Sequence, residues 1–148
     1  MVDLQLTKIG SSLDDTQERE HSLSRVVALM QHNKPQLAEK RCRKFLQDFP
    51  GCVDHLRMLG HSLLKQDRSE EAAEQIRFAI SLSPAFAPLH EDLGGILAAQ
   101  GNLDEAIETF EKAVQLDPTR PNAHKKLGQV LAATGRGQEA DIAEVLAK

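Results

Sequence analysis

Six histidines offer the first chemistry to weigh in this 148-residue chain, because neutral imidazole is a common metal ligand. Two pairs share one interval: His21 and His55 are 34 residues apart, and so are His90 and His124. That interval works against a shared metal. Equivalent side chains on successive packed helix pairs stand roughly 10 Å apart, well beyond metal–nitrogen bonding distance. The chain also contains no His-x-x-x-His and no Cys-x-x-Cys pair. No metal is expected, and the histidines read as half-buried or surface residues.

Adjacent carboxylates suggest acid–base chemistry, notably Glu70/Glu71 and Asp104/Glu105. Each pair falls where a helix should begin, and there the positive end of the helix dipole accounts for it without catalysis. Glu74, Glu108 and Glu111 read as a solvated outer face. Gly94-Gly95 lies within a helical pattern, where paired backbone amides cannot cradle a phosphate, and no P-loop lysine follows. No Ser-His-Asp or Cys-His arrangement can be argued from spacing. No catalytic residue and no cofactor are therefore expected. Cys42 is placed inside a helix facing the core and Cys52 in the next connection, as two reduced thiols, which fits a reducing compartment. The run Lys40, Arg41, Arg43 and Lys44 reads as a solvated basic face, with docking of an acidic partner as the lesser alternative.

The elements that carry these residues follow one ruler. Pro50, Pro84 and Pro118 are 34 residues apart. Gly60, Gly94 and Gly128 keep the same step, as do Leu59, Leu93 and Leu127, and Ala38, Ala72, Ala106 and Ala140. A fixed period of this size marks one supersecondary unit copied along a solenoid. The units run 19–52, 53–86, 87–120 and a shortened 121–148, behind an extension at 1–18. In the third, Leu93, Ile96 and Leu97 share one helical face. Gly101 then suits a left-handed helix end and Asn102 an N-cap. Ala106, Ile107, Phe110, Ala113 and Val114 share the face of a second helix, which Asp117-Pro118 ends. Gly60, Gly94 and Gly128 let a neighbouring helix approach their backbone, and the recurring alanines make the matching narrow contact. The extension's Ser12-Leu13-Asp14-Asp15 predicts a first helix from near Leu13 to Gln31. Leu4, Leu6 and Ile9 before it either fold back over the first hairpin or fray.

Composition agrees. Aromatic residues are 3% of the chain, with no Trp and no Tyr, so Leu, Ala, Ile and Val must fill the core. Net charge is −4, and residues 67–117 hold eleven acids against three bases. Phosphate binding needs a basic face, so nucleic acid is not an expected partner. No apolar run is long enough to enter a bilayer, and the N-terminus lacks the basic start and apolar stretch of a secretory signal.

The motif set resembles the tetratricopeptide repeat, a 34-residue helix–turn–helix unit. Leu93-Gly94, Ala106, Phe110, Ala113 and Pro118 carry the resemblance in the third unit. Leu59-Gly60, Ala72, Ala79 and Pro84 carry it in the second, with Ile76 in place of an aromatic. Leu127-Gly128, Ala140 and Ala147 carry it in the fourth. The first unit departs furthest, with Val26 for the glycine and Phe45 for the late alanine. The family's early aromatic is missing, and His90 and His124 stand in its place. The resemblance implies an all-α, right-handed solenoid of four hairpins whose first helices line a concave groove for extended or helical peptides. Residues spared by the core would form it: Arg57, His61, Leu64 and Lys65; then Glu91, Gly95, Ala98 and Ala99; then Lys125, Gln129, Ala132 and Ala133. Leu23, Val27 and Met30 would extend the wall. Some members clamp a peptide carboxylate there with Lys, Arg and Asn. Here only Arg57 and Lys125 could serve, so recognition of chaperone tails is not expected.

The expected function is a non-catalytic, cytoplasmic scaffold that binds a protein or peptide segment, without nucleic acid or membrane insertion. The alternative is the N-terminal module of a longer enzyme, because 90–141 looks similar to bacterial repeat modules ahead of sulfotransferase-like or glycosyltransferase domains. A small secretion chaperone fits less well, since few aromatics are present to make a sticky groove. No polar capping helix is visible after Ala147, which leaves self-association through the terminal repeats and a continuing stack both open.

Overall fold

A computed structural model describes residues 13–135 together with 146 and 147. Among them are seven α-helices and no strand. These are α1 (Leu13–Gln31), α2 (Pro35–Asp48), α3 (Val53–Leu64), α4 (Ser69–Leu82), α5 (Ala87–Ala99), α6 (Leu103–Leu116) and α7 (Pro121–Ala133). Residues 1–12, with Leu4, Leu6, Ile9 and Ser12, lie outside the described residues, as does Ala140 in the second half of the fourth unit.

The chain divides into two compact units between Leu82 and Ser83. In the first, α1 packs on α2, α2 on α3 and α3 on α4, and α1 also meets α3. Its core is Val26, Ala38, Cys42, Phe45, Leu56, Leu59, Leu63, Ala72, Ile76 and Ala79, all buried. In the second, α5 packs on α6, α6 on α7 and α5 on α7. Its core is Leu89, Leu93, Ile96, Leu97, Ala106, Ile107, Phe110, Ala113, Leu127 and Leu131. Helix follows helix because a lone amphipathic helix cannot bury its apolar face, whereas its neighbour in sequence can cover it at low loop cost.

The turns obey the same ruler more strictly than the sequence suggests. Asn33, Asp67, Gly101 and Gly135 are 34 residues apart, and each is left-handed, at φ 55°, 59°, 82° and 79°. The next residue closes the helix: the amides of Lys34, Arg68 and Asn102 donate to the carbonyls of Leu29, Leu63 and Leu97 at 2.8, 3.0 and 2.9 Å. This is a Schellman end, which satisfies carbonyls the helix leaves free. Asn and Asp tolerate the left-handed region better than other residues with a Cβ, which is how the first two turns manage without glycine. The N-cap role expected of Asn102 is different in detail. Asn102 sits at the cap of α6, but its side chain makes no capping hydrogen bond.

Candidate functional site

Two neighbouring glycines on α5 divide buried structure from open surface. Leu89, Leu93, Ile96 and Leu97 turn one face of α5 inward. Gly94 lies on that side. A Cβ placed there would come within 2.7–2.9 Å of three ring atoms of Phe110 on α6. Gly95 is one residue on, about 100° around the helix, and a Cβ there would meet nothing within 4 Å. Ala98 is half-buried and Ala99 exposed along the same side. On α7, which touches α5, Lys125, Gln129, Ala132 and Ala133 are exposed. The second unit thus carries small side chains on one first helix and a lysine and a glutamine on the next.

Glu91 departs from its expected place on the open wall. It is buried, with 5% of its surface exposed. Arg120 donates from Nε to its Oε2 at 2.9 Å, and Lys126 Nζ approaches Oε1 at 3.5 Å. A buried carboxylate requires such compensation. The anion expected to meet a partner is therefore bound internally, by Arg120 and Lys126.

In the first unit, Arg57, His61 and Leu64 on α3 are half-buried, and Lys65 is exposed at the C-terminal end. On α1, Leu23 and Val27 line a shallow hollow with Glu20, Ser24, Ala28 and Gln31; Met30 is half-buried.

The histidines that invited a metal reading act in packing. His90 Nε2 donates to the Pro84 carbonyl at 2.8 Å, and His124 Nε2 repeats this on Pro118 at 2.8 Å. A carbonyl can only accept, so both rings carry a proton at Nε2. Each bond ties the chain after one helix to the first turn of the next. The signal was present in the sequence as two proline–histidine pairs, each six residues apart. His55 is fully buried, stacked on Phe45 with centroids 3.8 Å apart. Its Nε2 lies 3.0 Å from Ser22 Oγ and its Nδ1 3.2 Å from Cys52 Sγ. Burial pulls its pKa down to about 4, with Arg19 adding to the effect and Asp54 opposing it. Burial also pushes the Cys52 thiol up, against the hydrogen bond from His55, and Cys42 up to about 12. Neutral imidazole and protonated thiol make this a structural pair, since the nucleophile of cysteine chemistry is the thiolate. Among the described residues no three His, Cys, Asp or Glu side chains group as a metal site.

An ion network on the outer side also escaped sequence reading. Arg68 bridges Glu39 at 2.8 Å and Glu71 at 2.6 Å, while Arg43 holds Glu39 at 2.9 Å. Burial works to raise the Glu39 carboxyl, but hydrogen bonds from Gln66, Arg43 and Arg68 hold it below the usual range. Glu39 and Arg68 are 29 residues apart, beyond any local pattern.

No helix among the described residues is long and apolar enough to cross a membrane. A search of curated proteins found no match. Among solved structures, a crystal structure of MamA shares the fold at 24% identity, with a TM-score of 0.79, over 86% of this chain and 75% of that one. MamA from Desulfovibrio magneticus RS-1 is similar at 24% identity and a TM-score of 0.77, over 86% of this chain and 72% of that one. A mutant O-GlcNAc transferase from Thermobaculum terrenum is similar at 27% identity and a TM-score of 0.75, over 81% of this chain but 23% of that one. The tetratricopeptide-repeat family itself matches at residues 23–74 and 57–121. With helical hairpins on a 34-residue ruler and a glycine under a large side chain in successive pairs, the chain belongs to the tetratricopeptide-repeat family.

Proposed function

We propose that this chain is a non-catalytic adaptor that captures a protein segment on the exposed sides of its first helices. The observation that carries the reading is the open space over Gly95, with half-buried Ala98 further along α5 and Lys125 and Gln129 exposed on α7. A helix or extended segment with a small apolar anchor can approach such a floor closely, because no side chain stands in its way. In the first unit, taken by itself, α3 carries Arg57, His61 and Leu64 half-buried and Lys65 exposed, a second surface of the same kind. Two unpaired thiols, Cys42 and Cys52, support a reducing, cytoplasmic setting. The acidic character of residues 67–117 favours protein over nucleic acid.

Gly95→Arg tests the reading. The added side chain enters open space, so helicity by circular dichroism should stay unchanged while the floor is filled. Proteins captured from native lysate should be lost, and Lys125→Glu should weaken the same set. Lys112→Glu on α6, a second helix, is the control. Capture that survives Gly95→Arg and fails with Lys112→Glu places binding on the second helices and removes the proposal.

One observation favours a second reading. The similarity to the O-GlcNAc transferase covers most of this chain and under a quarter of the enzyme, so the same fold serves there within a longer transferase. On that reading these repeats would present substrate protein to a catalytic domain. A reading frame continuing beyond Lys148 into transferase sequence would support it.

A further inference from the structure

The first helix of the chain carries an open aliphatic face that the later units do not repeat. Along α1, Glu20, Leu23, Ser24, Val27, Ala28 and Gln31 line one shallow hollow. Leu23 is half-buried, and Val27 keeps 36% of its surface exposed. Branched aliphatic side chains left in water forgo the stabilisation that burial brings. In the second unit the places of Leu23 and Val27 are held by Arg57 and His61, in the third by Glu91 and Gly95, and in the fourth by Lys125 and Gln129. The unit with two aliphatic residues there is also the one that a segment outside the 34-residue ruler precedes, residues 1–12.

That segment, MVDLQLTKIGSS, has the pattern to cover the hollow. In an extended chain Val2, Leu4, Leu6 and Lys8 fall on one side, because successive side chains alternate. They step by about 6.7 Å, and residues four apart on a helix step by about 6 Å. Laid antiparallel to α1, Lys8 comes abreast of Glu20, Leu6 of Leu23 and Ser24, Leu4 of Val27 and Ala28, and Val2 of Gln31. Opposite charges meet at one end, and aliphatic side chains meet in the middle. Gly10, Ser11 and Ser12 supply the reversal, as residue types suited to turns. The reach suffices: Glu20 is about 10 Å along α1 from Leu13, and the chain from Lys8 to Leu13 spans up to about 17 Å. We propose that residues 1–12 dock on the hollow of their own α1, with Leu4 and Leu6 against Leu23 and Val27 and Lys8 beside Glu20. So short a tether holds the segment at an effective concentration on the order of millimolar, and contacts too weak to retain a free peptide then suffice. Nothing in this contact requires a partner over Gly95.

Trypsin cleavage after Lys8, the first Lys or Arg of the chain, tests the contact on the full chain. Cleavage needs an undocked segment, so its rate follows the undocked fraction. The wild type should lose residues 1–8 at least about fivefold more slowly than Val27→Glu, which puts a carboxylate in the apolar part of the hollow. Leu4→Ser/Leu6→Ser should speed cleavage from the other side of the contact, where no core residue is touched. Glu20→Gln should speed it less. Glu18→Gln is the control, two residues before Glu20 and so about 160° around the helix, and should match the wild type. Circular dichroism should give the same helicity for all of them. The rates should hold from about 1 to 100 µM protein, as a contact within one chain requires. A wild type cleaved as fast as Val27→Glu and Leu4→Ser/Leu6→Ser overturns the proposal. So does protection that Val27→Glu and Glu20→Gln both leave intact, which would place the segment elsewhere, or protection that grows with protein concentration, which would place it on a second copy.

Discussion

A methyl group added to Gly60 on α3 would meet the tip of Ile76, with Cδ1 at 2.8 Å and Cγ1 at 3.0 Å. One added to Gly94 on α5 would meet the Phe110 ring at 2.7–2.9 Å. Both glycines hold the same place in the repeat, and both bring two helices close. The partners differ in how they can yield. An isoleucine can turn its terminal carbon aside, at a cost of roughly 1 kcal/mol if it leaves its preferred rotamer. A ring that is 1% exposed has nowhere to rotate. The second unit's seam is thus the more rigid, although the rule behind it is the same. The turns contrast in the opposite sense. The first unit places Asn33 and Asp67 in left-handed conformations, and the second uses Gly101 and Gly135. Backbone strain is held in the first unit and tight side-chain packing in the second.

The largest effect expected is at the rigid seam. Gly94→Leu forces four extra carbons against Phe110 and should cost about 3 kcal/mol or more, read as a fall in the urea midpoint. Gly60→Ala should stay close to wild type, because the gain of about 1 kcal/mol in helix propensity offsets the shift of Ile76. Equal losses for Gly94→Ala and Gly60→Ala would show that the two seams do not differ.

Acid should act on the first unit through His55. Its folded pKa, about 4, lies below the ordinary value of 6.5. The contribution is fully present above pH 6.5, where the ring is neutral in both states. It is lost as pH falls from there toward 4, since the unfolded chain takes up the proton first. Between pH 7.5 and pH 5 the loss should be about 2 kcal/mol. Urea midpoints across this range check it, with His55→Gln expected to flatten the slope. Carboxylates such as Glu39 and Glu71, held below their ordinary pKa of 4.5 by Arg68 and its neighbours, add their loss at lower pH.

A smaller gain is expected at the strained turns. Asp67→Gly should stabilise the first unit by about 0.5–1 kcal/mol, because glycine takes the left-handed conformation without a Cβ clash. A lower midpoint would mean that the Asp67 side chain contributes more than its backbone costs.

The fold was legible because the 34-residue period shows in residues whose size is constrained. Gly94, Ala106 and Phe110 can be read together from spacing alone, and Asp117-Pro118 marks the end of a helix by local chemistry. Asn33 and Asp67 were harder. They share the ruler with Gly101 and Gly135, yet four different local sequences hide one backbone geometry. The polar contacts were not legible where partners are distant. Nothing near Glu91 indicates that Arg120 and Lys126 will cover it, so a residue on the open side by helical spacing is buried. Outward spacing identifies a direction, and whether that direction stays open depends on the next helix.

The account rests most on the separation of buried seam from open floor along α5. Urea midpoints of Gly94→Ala and Gly95→Ala, measured side by side, test it directly. Both substitutions favour the helix by about 1 kcal/mol, so only their surroundings distinguish them. Gly94→Ala should lower the midpoint because its Cβ drives into Phe110, and Gly95→Ala should raise it because its Cβ enters empty space. Two shifts of the same sign would contradict the account, and with it the open floor over Gly95 on which the proposed binding face depends.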